Sequence, residues 1–484
     1  MILRGRRKIT VEATQRDLFD NQTLVTLINT ALRTHYTNSY EIDYLVAYRN
    51  GKQEILGKTK EVRPEINNRL VVNHAQMITR MVTGYFLGTP IQYVQAGADK
   101  KDELEQLNRA VMYEDKASVD KELAEMQSVC GTAYRIIFTD GLYADEVPFE
   151  DRALNPSTTF VAYENTIAER PLFGVTYLRK LDALGNFVGM KIFCYTDSAM
   201  YTFVTEGEYL ENDAVPLDVT PYSVGGVPII EYPNNVWRIG DWELVIGLME
   251  AINSVQSGRM DDIDQVIQSL LVFINADIDE EKYKEMRAAG VLCLTNKTEK
   301  ASSVEAIETS LDQNGMNSFS KELEELLYAL VSIPDRNNRG GSGGDTGAAV
   351  ELRDGWADLE IVARNKELVF KKSEKQALKI MITILNNKQN LNLSLMDVAI
   401  KFSRNKNNNL LVKTQAYMNL IGTKTLDPAD CLTIVDLVSD VNDFIERGKS
   451  FWQDSFAGKA SEQSTVTDLQ QKGETDPVPN NFGK

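Results

Sequence analysis

The sequence predicts an α+β protein that is mainly α-helical. Over most of the chain, apolar residues recur every three or four positions, which is the period of an amphipathic helix. Between about Gly131 and Tyr232 the period changes to two, which is typical of β-strands. With 484 residues the chain is too long for one simple core, and about two to four subdomains are expected.

The first 130 residues are predicted to be helical, apart from one strand. A basic arm, Met1–Lys8, comes first. It could contact nucleic acid, although a solvated terminus is the more ordinary outcome. Gly88 is a good C-cap residue for the second helix, and Pro90 follows it. The predicted helices are Leu18–Tyr36, Asn67–Phe86, Asp102–Tyr113 and Ala117–Val129, and the strand is Ile91–Val94.

The region of period two is predicted to form a mostly antiparallel sheet of short hairpins. Asp140-Gly141 is a typical turn sequence between two such strands. The predicted strands are Tyr134–Phe138, Thr159–Tyr163, Phe173–Leu178, Met190–Tyr195 and Met200–Val204.

The rest of the chain is organised around a long helical stretch. A helix from Asp241 to Phe273, with Asp241 as its N-cap, would be about 45–50 Å long. The helical period returns at Ser318 and stops before Pro334, which cannot donate a helix hydrogen bond. After a Gly-rich loop, a third helix is predicted at Ala348–Leu385.

Negative charge is concentrated in this stretch. From Asp241 to Leu330 there are 18 Asp and Glu residues against 7 Lys and Arg residues, a net charge of −11. The whole chain carries −18, and its pI is near 4.8. Such a surface argues against broad, affinity-driven nucleic-acid binding. It is compatible with a wall past which nucleic acid slides, because like charges repel.

The segment Ile274–Asp312 is predicted to be a compact insert with a short strand at Val291–Leu294. Asp277-x-Asp279 suggests a calcium loop, but the central Gly and the twelve-residue register of an EF-hand are missing. A charged tip that meets another protein is the preferred interpretation. The candidate partner-binding residues are Asp277, Asp279, Glu280, Glu281, Lys282, Lys284 and Arg287.

The Gly-rich loop is the second candidate site. It lacks the Lys of a phosphate-binding Walker loop, and no strand leads into it. A flexible connector is one interpretation. Its short polar side chains and two guanidinium groups also suit brief contacts with phosphate oxygens. The candidate residues are Arg336, Asn337, Asn338, Arg339, Gly340, Gly341, Ser342, Gly343, Gly344, Asp345 and Thr346.

Downstream, a strand is predicted at Val398–Phe402 and helices at Leu410–Leu420 and Asp427–Arg447. Residues 451–484 are polar and without apolar period, so disorder is expected there.

The sequence predicts no catalytic residue, no metal site and no cofactor. The four cysteines form no CxxC pair and are expected to be buried thiols, and two histidines cannot build a His-rich site. No apolar run is long enough to cross a membrane, and the N-terminus lacks the apolar core of a signal peptide. Synthesis in a reducing cytoplasm is therefore expected.

Several stretches, in order, resemble portal proteins of tailed double-stranded DNA phages of the SPP1-like type. Gly344–Ala349 is similar to that family's helix start, but it departs from the pattern at Thr346 and Val350. The other matching stretches are Gly84–Tyr93, Gly131–Tyr134, Val227–Asn235, Asp241–Glu243, Leu248–Asn253 and Asp436–Glu446. Together they cover roughly residues 60–450.

The resemblance implies the portal fold and a ring of identical subunits, usually a dodecamer, at one vertex of a virion capsid. By analogy, the candidate loop would be the tunnel loop that faces DNA. The implied parts are a wing (1–235), first stem helix (236–273), α/β clip (274–312), second stem helix (313–333), tunnel loop (334–347), long kinked wing-to-crown helix (348–390) and helical crown (391–450).

The implied partners are double-stranded DNA, the terminase large subunit, head-completion or adaptor proteins, and major capsid and scaffolding proteins. No membrane contact is implied, and synthesis would take place in the host bacterial cytoplasm. The alternative is a structural adaptor built on long helices that binds proteins only. An enzyme comes third, because no catalytic constellation is visible in the sequence.

Overall fold

The computed structural model describes residues 5–96, 100–139, 147–267, 271–274, 281–282, 284–285, 303–306, 313–335, 356–404, 410–423, 426–435, 444–445 and 448–449. The chain divides into two compact units. One comprises Met1–Gly88 and Lys100–Asp397, and the other comprises Thr89–Asp99 and Val398–Lys484. The mixed helix and sheet content agrees with the predicted α+β class.

Seven helices are described in the first unit. They are α1 (Asn21–Arg49), α2 (His74–Phe86), α3 (Lys101–Tyr113), α4 (Lys116–Cys130), α5 (Ile246–Ile267), α6 (Gln313–Leu330) and α7 (Trp356–Gln389). The second unit contains α8 (Leu410–Gly422) and α9 (Pro428–Val435), which pack on each other.

Three sheets are described in the first unit. The strands are β1 (Ile9–Val11), β3 (Thr132–Phe138), β4 (Glu150–Leu154), β5 (Thr159–Glu164), β6 (Pro171–Leu181), β7 (Phe187–Tyr195), β8 (Ala199–Thr205), β9 (Asp218–Pro221), β10 (Ile229–Pro233), β11 (Leu271–Ile274) and β12 (Ser303–Ala306). Their orders are β1-β5-β6-β7-β8-β9, β10-β3-β4 and β11-β12. Only the β1–β5 pair among these is parallel. In the second unit β2 (Gln92–Gln95) pairs with β13 (Val398–Lys401).

Helix α1 runs through two hydrophobic cores. Its first half, including Leu24 and Ile28, packs on the six-stranded sheet. Its second half, including Leu45 and Tyr48, packs among α2, α5, α6 and Leu359 of α7. Between the two halves His35, Asn38, Ser39 and Glu41 are buried polar residues. These residues interrupt the apolar period, so the sequence predicted an end near Tyr36 instead of Arg49.

The predicted helix from Asn67 begins only at His74, because residues 68–72 run extended along α5. The backbone N–H groups of Asn68, Leu70 and Val72 donate to side chains of Asp261, Ser257 and Asn253, at 2.6, 2.9 and 2.8 Å. These acceptors are spaced by four residues and so lie on one face of α5. They replace the helical hydrogen bonds that the apolar pattern predicted.

The predicted helix Asp241–Phe273 is also wrong at both ends. It begins with a 3-10 turn at Glu243–Val245 and is described as far as Ile267, while Leu271–Ile274 is a strand paired with Ser303–Ala306. The apolar run Leu-Val-Phe-Ile suits a strand because it is bulky and has no helical period. Asp241 is not an N-cap either, since its carboxylate accepts from Asn234 and from Lys366.

The basic arm is not a solvated terminus where it is described. The guanidinium of Arg6 is buried, donates to the carbonyl oxygen of Cys130 at 3.0 Å, and pairs with Glu243 at 2.5 Å and Glu41 at 3.2 Å. Three of the expected buried thiols, Cys130, Cys194 and Cys431, are free and buried, while Cys293 lies outside the described residues.

Several other predictions agree closely with the structure. The predicted helices at 102–113 and 117–129 correspond to α3 and α4, and the five predicted strands to β3, β5, β6, β7 and β8. Helix α6 ends at Leu330, before Pro334 as predicted. The predicted turn at Asp140-Gly141 and the predicted strand at Val291–Leu294 lie outside the described residues, as do 348–355 of the third helix and 451–484.

Candidate functional site

Most residues of the two predicted sites lie outside the described part of the chain. This holds for Arg336, Asn337, Asn338, Arg339 and 340–346 of the loop, and for Asp277, Asp279, Glu280 and Arg287 of the insert. Glu281, Lys282 and Lys284 are described as exposed residues of short helical pieces. What the structure does describe is the framework that carries the two ends of the segment 336–355.

The chain leaves α6 along a well-defined path. Ser332 has φ of +55°, a left-handed conformation that reverses the backbone direction after the helix. The N–H of Ile333 donates to the carbonyl oxygen of Tyr328 at 3.1 Å. Ile333 and Pro334 are both buried. The chain that leads into the segment 336–355 is therefore fixed as far as Pro334.

The N-terminal half of α2 contacts this exit. The rings of His74 and Tyr328 meet edge to face with centroids 6.2 Å apart. Beside them lies a cavity of about 610 Å³ between α2 and the end of α6. It is lined by Asn73, Gln76, Met77, Arg80, Met81, Tyr328, Ile333 and Pro334.

The C-terminal half of α2 contacts the start of α7, where the segment ends. The ring of Tyr85 lies 5.8 Å from that of Trp356, and its hydroxyl donates to Glu360 Oε2 at 2.8 Å. Phe86 packs edge to face on Phe370 at 5.6 Å. His74 and Tyr85 are eleven positions apart on one helix, or about 16 Å. One short helix thus carries both ends of the segment 336–355.

Helix α2 is in turn attached to the beginning of α5. The indole N–H of Trp242 donates to the hydroxyl of Thr79 at 3.0 Å, and its ring stacks on Tyr48 at 5.6 Å. Trp242 is fully buried. A buried indole with its N–H satisfied is a strong and direction-specific anchor.

Part of the negative charge of α5 is neutralised within the chain. The carboxylate of Asp261 is buried and accepts from Lys58 Nζ at 2.8 Å and Lys60 Nζ at 3.2 Å, besides Asn68. Burial opposes its charge, but these donors lower the pKa of Asp261 to about 2. Asp261 therefore attaches the extended stretch before α2 to α5.

A buried ionic network attaches α7 to the three-stranded sheet. Arg135 of β3 donates to Glu374 of α7 at 2.9 Å and to the Tyr232 hydroxyl at 2.8 Å, and it also pairs with Asp120. Its Nε lies 3.2 Å from Asp151. The Nζ of Lys116 bridges Asp120 at 2.7 Å and Glu374 at 2.9 Å.

The network holds three carboxylates and two cations. Burial opposes the charge of Arg135, but the surrounding Asp151, Tyr232, Glu374 and Asp120 raise its pKa well above the usual range. Burial raises the pKa of Asp151 to about 6, against the lowering effect of Arg135. Uptake of one proton by Asp151 would bring the network of three carboxylates and two cations to neutrality.

Sequence reasoning missed these ionic anchors, although a signal existed. Arg135 lies on the same strand face as Ile137, and Glu374 lies on the helix face of Phe370 and Ala377. A charged residue at a position that the period assigns to the core indicates a buried ion pair. Lys366, which pairs with Asp241 at 2.6 Å, follows the same rule.

Among the described residues, no group of three or more His, Cys, Asp or Glu side chains could hold a metal ion. No helix in the described ranges is both long and apolar enough to span a membrane. The described arrangement fixes the chain on both sides of the segment 336–355, at Pro334 and at Trp356.

Comparison with known proteins gives a family. The model described as "Phage portal protein, SPP1 Gp6-like" matches residues 32–450. The portal protein of Bacillus phage SPP1 is 24% identical over 321 residues, which are 64% of this chain. The match spans 60% of that relative's length.

Solved structures with some similarity come from gene transfer agent (GTA) particles. The neck of an empty GTA particle, computed with C6 symmetry, has a TM-score of 0.43 at 12% identity, covering 75% of this chain and 90% of that chain. The neck of a native GTA particle, computed with C12 symmetry, has a TM-score of 0.43 at 13% identity, covering 76% and 91%.

Proposed function

The chain belongs to the phage portal protein family described as SPP1 Gp6-like, and from this premise we propose that it forms a ring of identical subunits at one capsid vertex. Double-stranded DNA enters and leaves the capsid through the bore of this ring. The protein acts as a conduit without an enzymatic activity of its own. The ATP-driven terminase large subunit docks on it during packaging, and head-completion or adaptor proteins bind it afterwards.

The observation that carries the proposal is the double attachment of the segment 336–355 to α2. The two contacts with α2 are about 16 Å apart along its axis. The twelve residues 336–347, which precede the predicted helix start at Ala348, have an extended contour length of about 40–43 Å. This is more than twice what a direct bridge requires. The segment can therefore project from a fixed base into a bore, where Arg336 and Arg339 contact DNA phosphates.

The hairpin of α5 and α6 supports the same role. Glu322 and Glu325 are exposed on α6, and repetition around a closed ring would build a negatively charged wall. Such a wall repels phosphates and reduces the affinity of the bore for DNA. In this proposal the residues 274–312, including exposed Glu281, Lys282 and Lys284, form the outer tip that meets partner proteins.

The first test is the assembly state of the purified chain. Electron micrographs should show rings with a central hole, viewed down their axis. A chain that remains monomeric under every assembly condition would contradict the proposal.

The second test separates the conduit from the adaptor that binds proteins only. Arg336→Ala with Arg339→Ala should leave ring formation intact and reduce packaged DNA at least tenfold, because two phosphate contacts per subunit are lost. The matched control is Arg152→Ala with Arg109→Ala, two mostly exposed arginines outside the loop. Packaged DNA is measured by nuclease protection in assembled particles. Packaging that equals the wild-type level in the loop variant would favour the adaptor.

A further inference from the structure

The turn at residues 234–239 is fixed by its own side chains. Asn235 Oδ1 accepts from the N–H groups of Trp237 at 3.1 Å and Ile239 at 3.2 Å, and Asn235 Nδ2 donates to the carbonyl oxygen of Ile239 at 2.8 Å. Arg238, with φ of +55°, forms two hydrogen bonds to Glu231 at 2.6 and 2.9 Å. These hydrogen bonds hold the backbone of the turn in place.

This rigid turn nevertheless presents its apolar side chains to solvent. Val236 is 80% exposed and Trp237 is 75% exposed. Within the described part of the chain, the indole N–H of Trp237 has no acceptor. Exposed indoles on preorganised turns are typical anchors of protein interfaces, because little conformational entropy is lost on binding.

The cavity on α2 has complementary features. Met77 and Met81 offer flexible thioether side chains that adapt to an inserted ring. Gln76 and Arg80, one helical turn apart, line the same cavity, and their side chains form no bond to any residue in the described ranges. A guanidinium without a partner is the electrostatic complement of an indole face, and an amide oxygen can accept from the indole N–H.

We propose that Trp237 of one copy inserts into the α2 cavity of the next copy, with Arg80 over the indole and Gln76 accepting its N–H. This inference rests on the proposed ring and assigns one of its contacts. Neither Val236 nor Trp237 is among the residues that line the cavity. The turn that carries Trp237 and the cavity are therefore two distinct surfaces, as a head-to-tail contact that closes into a ring requires.

Disulfide cross-linking tests the contact directly. Under mild oxidation, the full-length variant Trp237→Cys with Met77→Cys should give a ladder of covalent multimers on a denaturing gel. The control is Ile167→Cys with Met77→Cys, which places the partner thiol at another fully exposed apolar residue. A disulfide within one chain, or a ladder no stronger than the control, overturns the inference. The first result would show that the same chain fills the cavity.

A second variant tests the energetic role. Trp237→Ala should raise the subunit concentration needed for rings at least tenfold, whereas Trp237→Phe should recover part of the loss and Ile167→Ala should have no effect. Urea unfolding of the monomer checks that each variant folds. Rings of equal stability in Trp237→Ala would overturn this contact and leave the proposed function standing. Absence of rings in the wild type would overturn both.

Discussion

The two hydrophobic cores of the first unit differ in the polar contacts that surround them. Helix α1 is attached to the core under the six-stranded sheet by hydrogen bonds between neutral groups. His35 Nε2 lies 3.1 Å from the carbonyl oxygen of Ser157, Ser39 donates to the same oxygen at 2.7 Å, and Asn29 donates to that of Leu210 at 2.8 Å. Burial lowers the pKa of His35 to about 4, so that it stays neutral.

The core around α2 is bordered by buried ion pairs instead. Glu243 holds Arg6, Asp241 holds Lys366, and Asp261 holds Lys58. The network of Arg135 adds a fourth link at the edge of this region.

The difference follows from the secondary structure on each side. Neighbouring strands exchange backbone hydrogen bonds, which fix their register without side chains. In packed helices the backbone N–H and C=O groups already form hydrogen bonds within each helix. Only side chains can therefore define the position of one helix along another. Buried ion pairs serve this purpose because a shifted helix would leave a charge without a partner. Buried ion pairs thus fix how the helices pack in the region that carries the segment 336–355, whereas backbone hydrogen bonds set the register of the six-stranded sheet.

The largest effect is expected at the network that attaches α7 to the three-stranded sheet. Arg135→Met leaves Asp120, Asp151 and Glu374 buried without their main cation, and should reduce the free energy of unfolding by about 3–5 kcal/mol. The control is Arg152→Met on the neighbouring strand β4. The side chain of Arg152 is 66% exposed, so this substitution should change the free energy of unfolding by less than about 1 kcal/mol. Urea titrations followed by circular dichroism give both values.

Equal stability of the two variants would mean that the network contributes nothing beyond packing. An intermediate loss confined to α7, seen as faster hydrogen exchange between Trp356 and Gln389, would instead place the role of Arg135 in helix attachment alone.

A smaller effect is expected where charge holds α5. Asp261→Asn keeps the shape but weakens the bonds from Lys58 and Lys60, whose ammonium groups are partly exposed, so a loss of about 1–2 kcal/mol is expected. Asp262→Asn, one residue along the same helix, is the control, because no ion pair involves Asp262 among the described residues. Chemical denaturation at pH 7 measures the difference.

The pH dependence sharpens this comparison. The pKa of Asp261 is lowered to about 2 in the folded chain, from an unfolded value near 3.8. The contribution of Asp261 to the free energy of unfolding is present above about pH 4 and is lost as pH falls toward 2. The pKa of Asp151 is shifted in the opposite direction, since burial raises it to about 6. The contribution of Asp151 to the free energy of unfolding is therefore largest below about pH 4 and is lost as pH rises through 6. The Asp261→Asn variant should therefore flatten the stability profile only below pH 4, and an unchanged profile there would contradict the assignment.

The sequence predicts the repeating parts of this molecule well and its attachments poorly. The strands from Thr159 to Thr205 follow from their alternation, and the end of α6 follows from Pro334, because each depends on local chemistry. The start of α2 is mispredicted because residues 68–72 take their acceptors from α5, almost 200 positions away. No local period contains that information.

The predicted site shows the same division. The helix before the loop ends at Leu330, ahead of Pro334 as predicted, whereas the predicted helix start at Ala348 lies outside the described residues. The contact of α2 with the start of α7 was not predicted, because Tyr85 and Trp356 are far apart in sequence and their contact depends on the fold. The apolar pattern of 67–86 indicates a buried helix, but it does not say that both ends of one loop meet it.

The smallest effect is expected at this base. Tyr85→Phe removes the hydrogen bond from the hydroxyl to Glu360 at 2.8 Å and keeps the ring against Trp356, so the unfolding free energy should fall by only about 1 kcal/mol. The functional consequence should be larger than this value suggests, because the bond fixes the first turn of α7, where the segment 336–355 ends. Hydrogen exchange should rise in residues 356–364 and stay unchanged in β5–β8. The control Tyr40→Phe alters a tyrosine that is 71% exposed and should change neither exchange nor packaged DNA. If Tyr85→Phe packages DNA as the wild type does while exchange at 356–364 rises, a fixed loop base is not required for the passage of DNA.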